Sequence, residues 1–70
     1  MRVTKIFENI GWGKYPNDEI KYVNIYSESN DYEGTFVYIN GEEKGNSCSE
    51  LDAFRNAGID DELANWILRH

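Results

Sequence analysis

Residues 33–45 read EGTFVYINGEEKG, and this stretch decides the fold. Its first part, 33–40, places β-branched residues at every second position, which is typical of a β-strand. Asn40-Gly41 follows, and this dipeptide favours a two-residue hairpin turn because both residues must adopt positive φ. We therefore predict a strand over 33–40, a tight turn, and a short charged strand over 42–45. Its charges suit the edge of a sheet, where they discourage further pairing.

Two further strands are predicted before this hairpin. Residues 2–10 (RVTKIFENI) and 19–27 (EIKYVNIYS) are rich in β-branched and aromatic types. The stretch between them, 11–18, contains two glycines and a Pro-Asn pair and is predicted to be a loop. Alternate residues of 19–27 give two faces, neither fully polar, which is typical of a central strand covered on both sides.

The last third of the chain changes to a helical period. Ser47 is followed three residues later by a glutamate, which is the pattern of a capping box and predicts a helix over 48–57. Gly58 stands where a left-handed residue ends a helix. Asp60 is the expected N-cap of a second helix over 61–69, whose first turn is acidic.

Strands that precede helices indicate an α+β fold. We predict an antiparallel β-meander of three to four strands with the C-terminal helical pair packed on one face. A chain of 70 residues is too short for two cores, so residues 1–70 form a single domain. The single cysteine, Cys48, cannot form an intrachain disulfide, and we expect a monomer or a small homo-oligomer.

The net charge of −6 is unevenly distributed. Four cations accompany three carboxylates in residues 1–26, whereas three cations accompany ten carboxylates in residues 27–70. Such a chain is repelled by phosphate backbones and attracted to basic protein surfaces. We therefore expect a protein partner with a basic surface and no direct nucleic-acid binding.

The chain contains few residues of the kinds that perform catalysis or bind metals. Cys48 at a helix start could be a nucleophile, but the only histidine that could serve as its base is His70 at the chain end. No phosphate-binding glycine loop, calcium loop or zinc-ligand spacing is present. We expect no catalytic residue, no metal and no cofactor. One unpaired cysteine, an early charged N-terminus and short apolar runs favour a cytoplasmic protein without a membrane segment.

Two features indicate protein binding. The loop containing Trp12 and Tyr15 offers large aromatic side chains of the kind that anchor interfaces. Carboxylates interleaved with tyrosines from residue 28 to residue 43 could imitate the phosphate spacing of a nucleic acid. The predicted protein-binding residues are Trp12, Tyr15, Glu28, Asp31, Tyr32, Glu33, Tyr38, Glu42 and Glu43. Two plainer alternatives stay open, namely that Trp12 folds back onto the sheet and that the acidic residues form a solvated face.

These features favour a non-enzymatic protein-binding module. Size and charge are typical of small acidic inhibitors encoded by phages or mobile elements, which would act in the host cytoplasm on a nucleic-acid-binding or defence enzyme. One alternative is a structural subunit that self-associates through a sheet edge or helix face. Another is a nucleic-acid binder whose N-terminal sheet residues would stack bases; these residues are Lys5, Lys21, Tyr22 and Tyr26.

Overall fold

A computed structural model describes residues 1–70. Its elements in chain order are β1 (Arg2–Glu8), β2 (Glu19–Tyr26), β3 (Tyr32–Ile39), β4 (Glu42–Ser47), α1 (Glu50–Asn56) and α2 (Asp61–Arg69). The strands form one antiparallel sheet whose spatial order is the sequence order, β1-β2-β3-β4. The predicted α+β meander followed by two helices is confirmed.

The predicted hairpin turn joins β3 to β4. Asn40 has φ of 53° and Gly41 has φ of 83°, as a type I′ turn requires, and Ile39 pairs with Glu42 across it. β4 continues two residues beyond the predicted end at 45, and its pairing register shifts beside Lys44. β4 is therefore an interrupted, charged edge strand.

The predicted capping box at Ser47 is wrong. Ser47 pairs with Thr35 as the last residue of β4, so the first helix begins at Glu50 and not at residue 48. Ser49 is the N-cap, and its side chain makes no capping bond. The Glu50 carboxylate accepts a hydrogen bond from Asn24 Nδ2 at 2.9 Å, so this glutamate is engaged by the sheet. Strand pairing outweighs the local helix-start signal here.

The two other helix-boundary signals are confirmed. Gly58 has φ of 82°, and the N–H of Ile59 bonds to the carbonyl oxygen of Phe54 at 3.0 Å, which is the outer bond of a Schellman motif. The Asp60 carboxylate accepts from the N–H of Leu63 at 2.8 Å and so caps α2.

Both helices pack on one face of the sheet, which we call the inner face. Ile20 and Val37 of the sheet and Phe54, Leu63 and Ile67 of the helices have no exposed surface. Tyr22 packs edge-on against Phe54 with 5.4 Å between ring centroids. The core is thus a single layer of side chains between one sheet and one helical pair.

No other element covers the opposite, outer face, so the prediction that β2 is covered on both sides is wrong. Val23 points to this face, yet it is only 6% exposed because Thr4 and Phe36 flank it on the neighbouring strands. Lys21 places its Nζ over the Tyr38 ring, 4.5 Å from the centroid. Both helices, α1 and α2, pack on the inner face.

Candidate protein-binding surface

Three turns meet at one end of the sheet, which we call the loop end: the β1–β2 loop, the β3–β4 turn and the α1–α2 turn. The Tyr15 hydroxyl donates to the Gly58 carbonyl oxygen at 3.0 Å and so joins the first loop to the helical turn. The Asn40 side chain accepts from the Glu19 N–H at 2.9 Å and donates to Asp18 at 3.1 Å. These bonds place segments that are distant in sequence side by side.

Trp12 and Tyr15 lie within the loop end. The Tyr15 N–H bonds to the Trp12 carbonyl oxygen at 2.7 Å, which closes a tight turn in which Gly13 has φ of 36°. Both aromatic side chains are half-buried and pack against the hydrophobic core. Trp12 therefore folds back onto the core in part, while part of its surface stays open to solvent.

Carboxylates from all three turns are collected at the loop end. Those on or beside the turns are Glu8, Asp18, Glu19, Glu42, Glu43, Asp60, Asp61 and Glu62. Glu8 and Glu19 lie directly opposite each other on β1 and β2, a like-charge pair that is locally unfavourable. The cations on or beside the three turns are Lys14, Lys44 and Arg55, and Lys21 lies close by, over the Tyr38 ring.

Ion pairs neutralise this acidic region only in part. Arg55 bonds to Asp61 at 2.8 Å and to Asp52 at 3.2 Å, and Lys44 lies 3.2 Å from Glu42. The hydrogen bond from Arg55 is the main cause that lowers the pKa of Asp61. These side chains are about half or more exposed, so their pairing is screened by water and weak. The loop end is therefore a predominantly negative surface.

The predicted protein-binding residues separate into two groups. Trp12, Tyr15, Glu42 and Glu43 lie at the loop end, and Tyr38, which pairs with Glu43, lies on the outer face close to it. The other four lie at the opposite end of the sheet, around the β2–β3 turn; they are Glu28, Asp31, Tyr32 and Glu33.

The length of β3 keeps these two groups apart. Its 8 residues at roughly 3.3 Å each separate the ends by more than 20 Å. The register shift beside Tyr26 turns Tyr32 toward the inner side, where its hydroxyl bonds to Thr35, and burial raises its pKa. Tyr32 and Tyr38 thus project from opposite faces, and the carboxylates of residues 28–43 do not share one continuous face.

The N-terminal residues considered for base stacking do not share a surface. Tyr22 is 4% exposed and its ring packs on Phe54, so it has no free face to stack on a base. Lys5 pairs with Tyr22 and points to the inner side of the sheet, whereas Lys21 lies on the outer face with Tyr38. These four residues therefore do not form one continuous surface.

The sequence interpretation missed several carboxylates of the loop end. Glu8, Asp18 and Glu19 border the β1–β2 loop and were not grouped with Glu42 and Glu43. A signal was present, because in a meander of antiparallel strands every second turn lies at the same end of the sheet. Sorting the acidic residues by turn, and not by distance along the chain, would have grouped them.

Comparisons with known proteins give no identification: no family model, curated protein or solved structure matches this chain. No three acidic, histidine or cysteine side chains gather in a metal-binding arrangement. Neither helix combines the length and hydropathy needed to cross a membrane.

Proposed function

We propose that this chain is a non-enzymatic protein-binding module that uses its loop end to occlude a basic surface on a partner protein. The observation that carries the proposal is the meeting of three acidic turns beside the half-buried Trp12 and Tyr15. An interface is stabilised by an aromatic anchor that loses its water and by complementary charges around it; the proposal is supported by two large aromatic side chains and several carboxylates on one surface.

The charge of the loop end indicates the chemistry of the partner. A surface rich in lysine and arginine, such as the nucleic-acid groove of an enzyme, would attract the carboxylates and speed encounter. The chain would act as a small acidic inhibitor of the phage or mobile-element type, in the cytoplasm of a host cell. The proposal assigns steering to Glu42, Glu43 and Asp18, and anchoring to the two aromatic residues.

The separation of the acidic residues into two ends makes a matched experiment possible. The first variant is Glu42→Lys with Glu43→Lys at the loop end, and the control is Glu28→Lys with Glu33→Lys at the far end. Both change the net charge by the same amount. A partner captured from host lysate and then purified should lose most of its affinity for the first variant and little for the control.

Three results would contradict the proposal. The first is equal loss of affinity in both variants, because that would indicate a response to net charge alone. The second is unchanged affinity in the loop-end variant. The third is a captured partner whose binding does not weaken when salt rises from about 50 to 200 mM, since exposed charges are screened over that range.

A second candidate is a structural subunit that assembles through a sheet edge. It is favoured by the free edge of β1, the edge away from β2, which pairs with no other strand. β1 consists of 7 residues without a proline or register shift, and unprotected edges of this kind tend to pair with another strand.

A further inference from the structure

The exposed apolar side chains of the protein concentrate at the edge of β1. Val3 is 40% exposed and Ile6 is 55% exposed, and Met1, immediately before the strand, is 68% exposed. The remaining large exposed hydrophobic residue is Tyr32, at the far end of the sheet. An edge strand with exposed apolar side chains on both faces is the kind of surface on which strands add.

The other edge of the sheet is protected against such pairing. β4 carries Glu42, Glu43 and Lys44, its register shifts beside Lys44, and α1 packs closely over Gly45. Charges, irregular pairing and a covering helix are the usual means by which proteins block an edge. Only β1 therefore offers a regular edge for another strand.

The hydrogen bonds of Met1 show which backbone groups of β1 are free. Met1 N donates to the Tyr26 carbonyl oxygen at 2.9 Å, and Tyr26 N donates to the Met1 carbonyl oxygen at 2.8 Å. These two residues form a hydrogen-bonded pair, and in an antiparallel ladder such pairs recur at every second residue. The odd-numbered residues of β1 thus face β2. The even-numbered residues direct their N–H and C=O groups outward; they are Arg2, Thr4, Ile6 and Glu8.

We propose that β1 pairs antiparallel with β1 of a second copy, around a two-fold axis at Lys5, to form a continuous eight-stranded sheet. In this register Arg2 lies opposite Glu8 of the second copy, Thr4 lies opposite Ile6, and every outward N–H and C=O group finds a partner. Val3 lies opposite Phe7 on the inner side, so its exposed surface gains an apolar neighbour.

The sequence of β1 favours this pairing register over registers that are shifted by one or two residues. A shift of one residue would turn the inner side chains of one copy to the outer side of the other. A shift of two would centre the pair on Thr4 or on Ile6, and it would lose the Arg2–Glu8 complement and leave outward backbone groups unpaired. The chosen register also brings a cation to Glu8, which within one copy faces Glu19.

Lys5 sets a limit on the affinity. It lies opposite its own equivalent on the axis, where two ammonium groups repel each other, although both are exposed and their long side chains can diverge. The dimer should therefore be reversible and depend on concentration. Replacing Lys5 by threonine should tighten it, by roughly fivefold in Kd, because the repulsion is removed and a β-branched pair gained.

Cysteine cross-linking tests the register. In a Cys48→Ser background, which removes the exposed native thiol, Lys5→Cys places two thiols across the axis, about 4.5 Å apart at Cα as in a non-hydrogen-bonded pair. Mild oxidation should give a covalent dimer. Thr4→Cys and Ile6→Cys in the same background should cross-link poorly, since each residue then faces its equivalent only diagonally. Efficient cross-linking at position 4 or 6 in place of position 5 would overturn the register.

Sedimentation across a range of concentrations tests the dimer itself. The chain should shift toward twice its mass of 8.2 kDa as concentration rises. Thr4→Pro removes an N–H that points away from β2, so no hydrogen bond within one copy is lost, and it should raise the dimer Kd at least about tenfold. Thr4→Val keeps the N–H and should leave the Kd within about twofold. A mass of one chain at millimolar concentration would overturn the proposal.

A charge exchange gives a third measurement that does not depend on proline. Arg2→Glu should weaken the dimer roughly fivefold, because two like-charge pairs replace two complementary ones, and adding Glu8→Arg should restore it. Failure of the double variant to restore association would contradict the register.

This inference deepens the assembly candidate, and it does not depend on Glu42, Glu43 or Asp18, the loop-end carboxylates to which steering is assigned. Glu42→Lys with Glu43→Lys should leave the dimer unchanged, while Thr4→Pro should leave partner capture unchanged. Failure of one proposal is therefore distinguishable from failure of the other.

Discussion

Gly45 of β4 lies directly against Ala53 of α1. A Cβ atom placed on Gly45 would lie 2.5 Å from the Ala53 carbonyl oxygen and 2.6 Å from the backbone nitrogen of Ala57. The absence of a side chain at this position lets the helix backbone approach the edge strand closely. The position of α1, and with it the α1–α2 turn of the loop end, depends on this approach.

Gly45→Ala should therefore destabilise the fold strongly. Because the atoms that a Cβ would meet belong to the backbone of α1, the helix itself must shift, and we expect a loss of about 3 kcal/mol in urea unfolding. Gly34→Ala is the graded comparison: its Cβ would meet the Ser47 carbonyl oxygen at 3.2 Å, which a shift of a few tenths of an ångström relieves, so any loss should stay below about 1 kcal/mol. Equal effects of the two substitutions would contradict the close approach as the cause.

Thr35→Val should reveal a buried polar chain. The Thr35 hydroxyl donates to Asn24 Oδ1 at 2.6 Å and accepts from the Tyr32 hydroxyl, and Asn24 in turn donates to Glu50. Valine keeps the shape but leaves the buried Asn24 oxygen without its donor, at a cost of about 2 kcal/mol in the free energy of unfolding. Thr4→Val, on the exposed edge strand, is the matched control and should change stability by less than about 0.5 kcal/mol.

The two helix N-caps should respond differently to alanine. Asp60 accepts from the Leu63 N–H, so Asp60→Ala should cost about 1 kcal/mol. Ser49 makes no side-chain capping bond, so Ser49→Ala should change the free energy of unfolding by only a few tenths of a kcal/mol, roughly. A larger effect at Ser49 than at Asp60 in chemical denaturation would show that α1 begins differently.

Glu19→Lys should stabilise the protein. It converts the Glu8–Glu19 like-charge pair into an attractive cross-strand pair, and we expect a gain of about 0.5 kcal/mol, larger at low salt. Glu33→Lys makes the same change of net charge at the far end and is the control. If both variants gain stability equally, relief of the overall negative charge explains the effect and the local pair does not.

The Arg55–Asp61 pair should be visible in the titration of the Asp61 carboxyl, although its contribution to stability is small. The hydrogen bond from Arg55 lowers the pKa of Asp61 in the folded state, so the unfolded chain binds this proton more readily. The pair's contribution to stability is present above the ordinary aspartate pKa of about 4 and is lost as pH falls through the lower, folded pKa. Arg55→Gln should raise the pKa of Asp61, whereas Arg69→Gln should leave it unchanged. NMR titration of the carboxyl groups measures both.

Local signals in the sequence were sufficient wherever one short segment determines its own conformation. Asn40-Gly41 specified the hairpin, Gly58 ended α1 and Asp60 capped α2, because each acts through backbone dihedrals or hydrogen bonds within a few residues. The order of strands and helices then followed from the change of hydrophobic period, which is also read locally.

Signals that compete with distant partners could not be interpreted in the same way. Ser47 and Glu50 have the spacing of a capping box, yet Ser47 joins β4 opposite Thr35 and Glu50 binds Asn24. The interactions with those distant partners are stronger than the weak preference of the local motif. Residues 47–50 contain no signal that predicts them.

The sequence by itself determined the fold class, the turns and the total charge of this protein. Only the tertiary structure decided which carboxylates share a surface: the length of β3 holds Glu28 far from Glu43, while turns distant in sequence meet at the loop end. It also decided that one sheet face and one edge stay uncovered. The physical reason is that surfaces are assembled from long-range contacts, whose energies no local pattern of residues encodes.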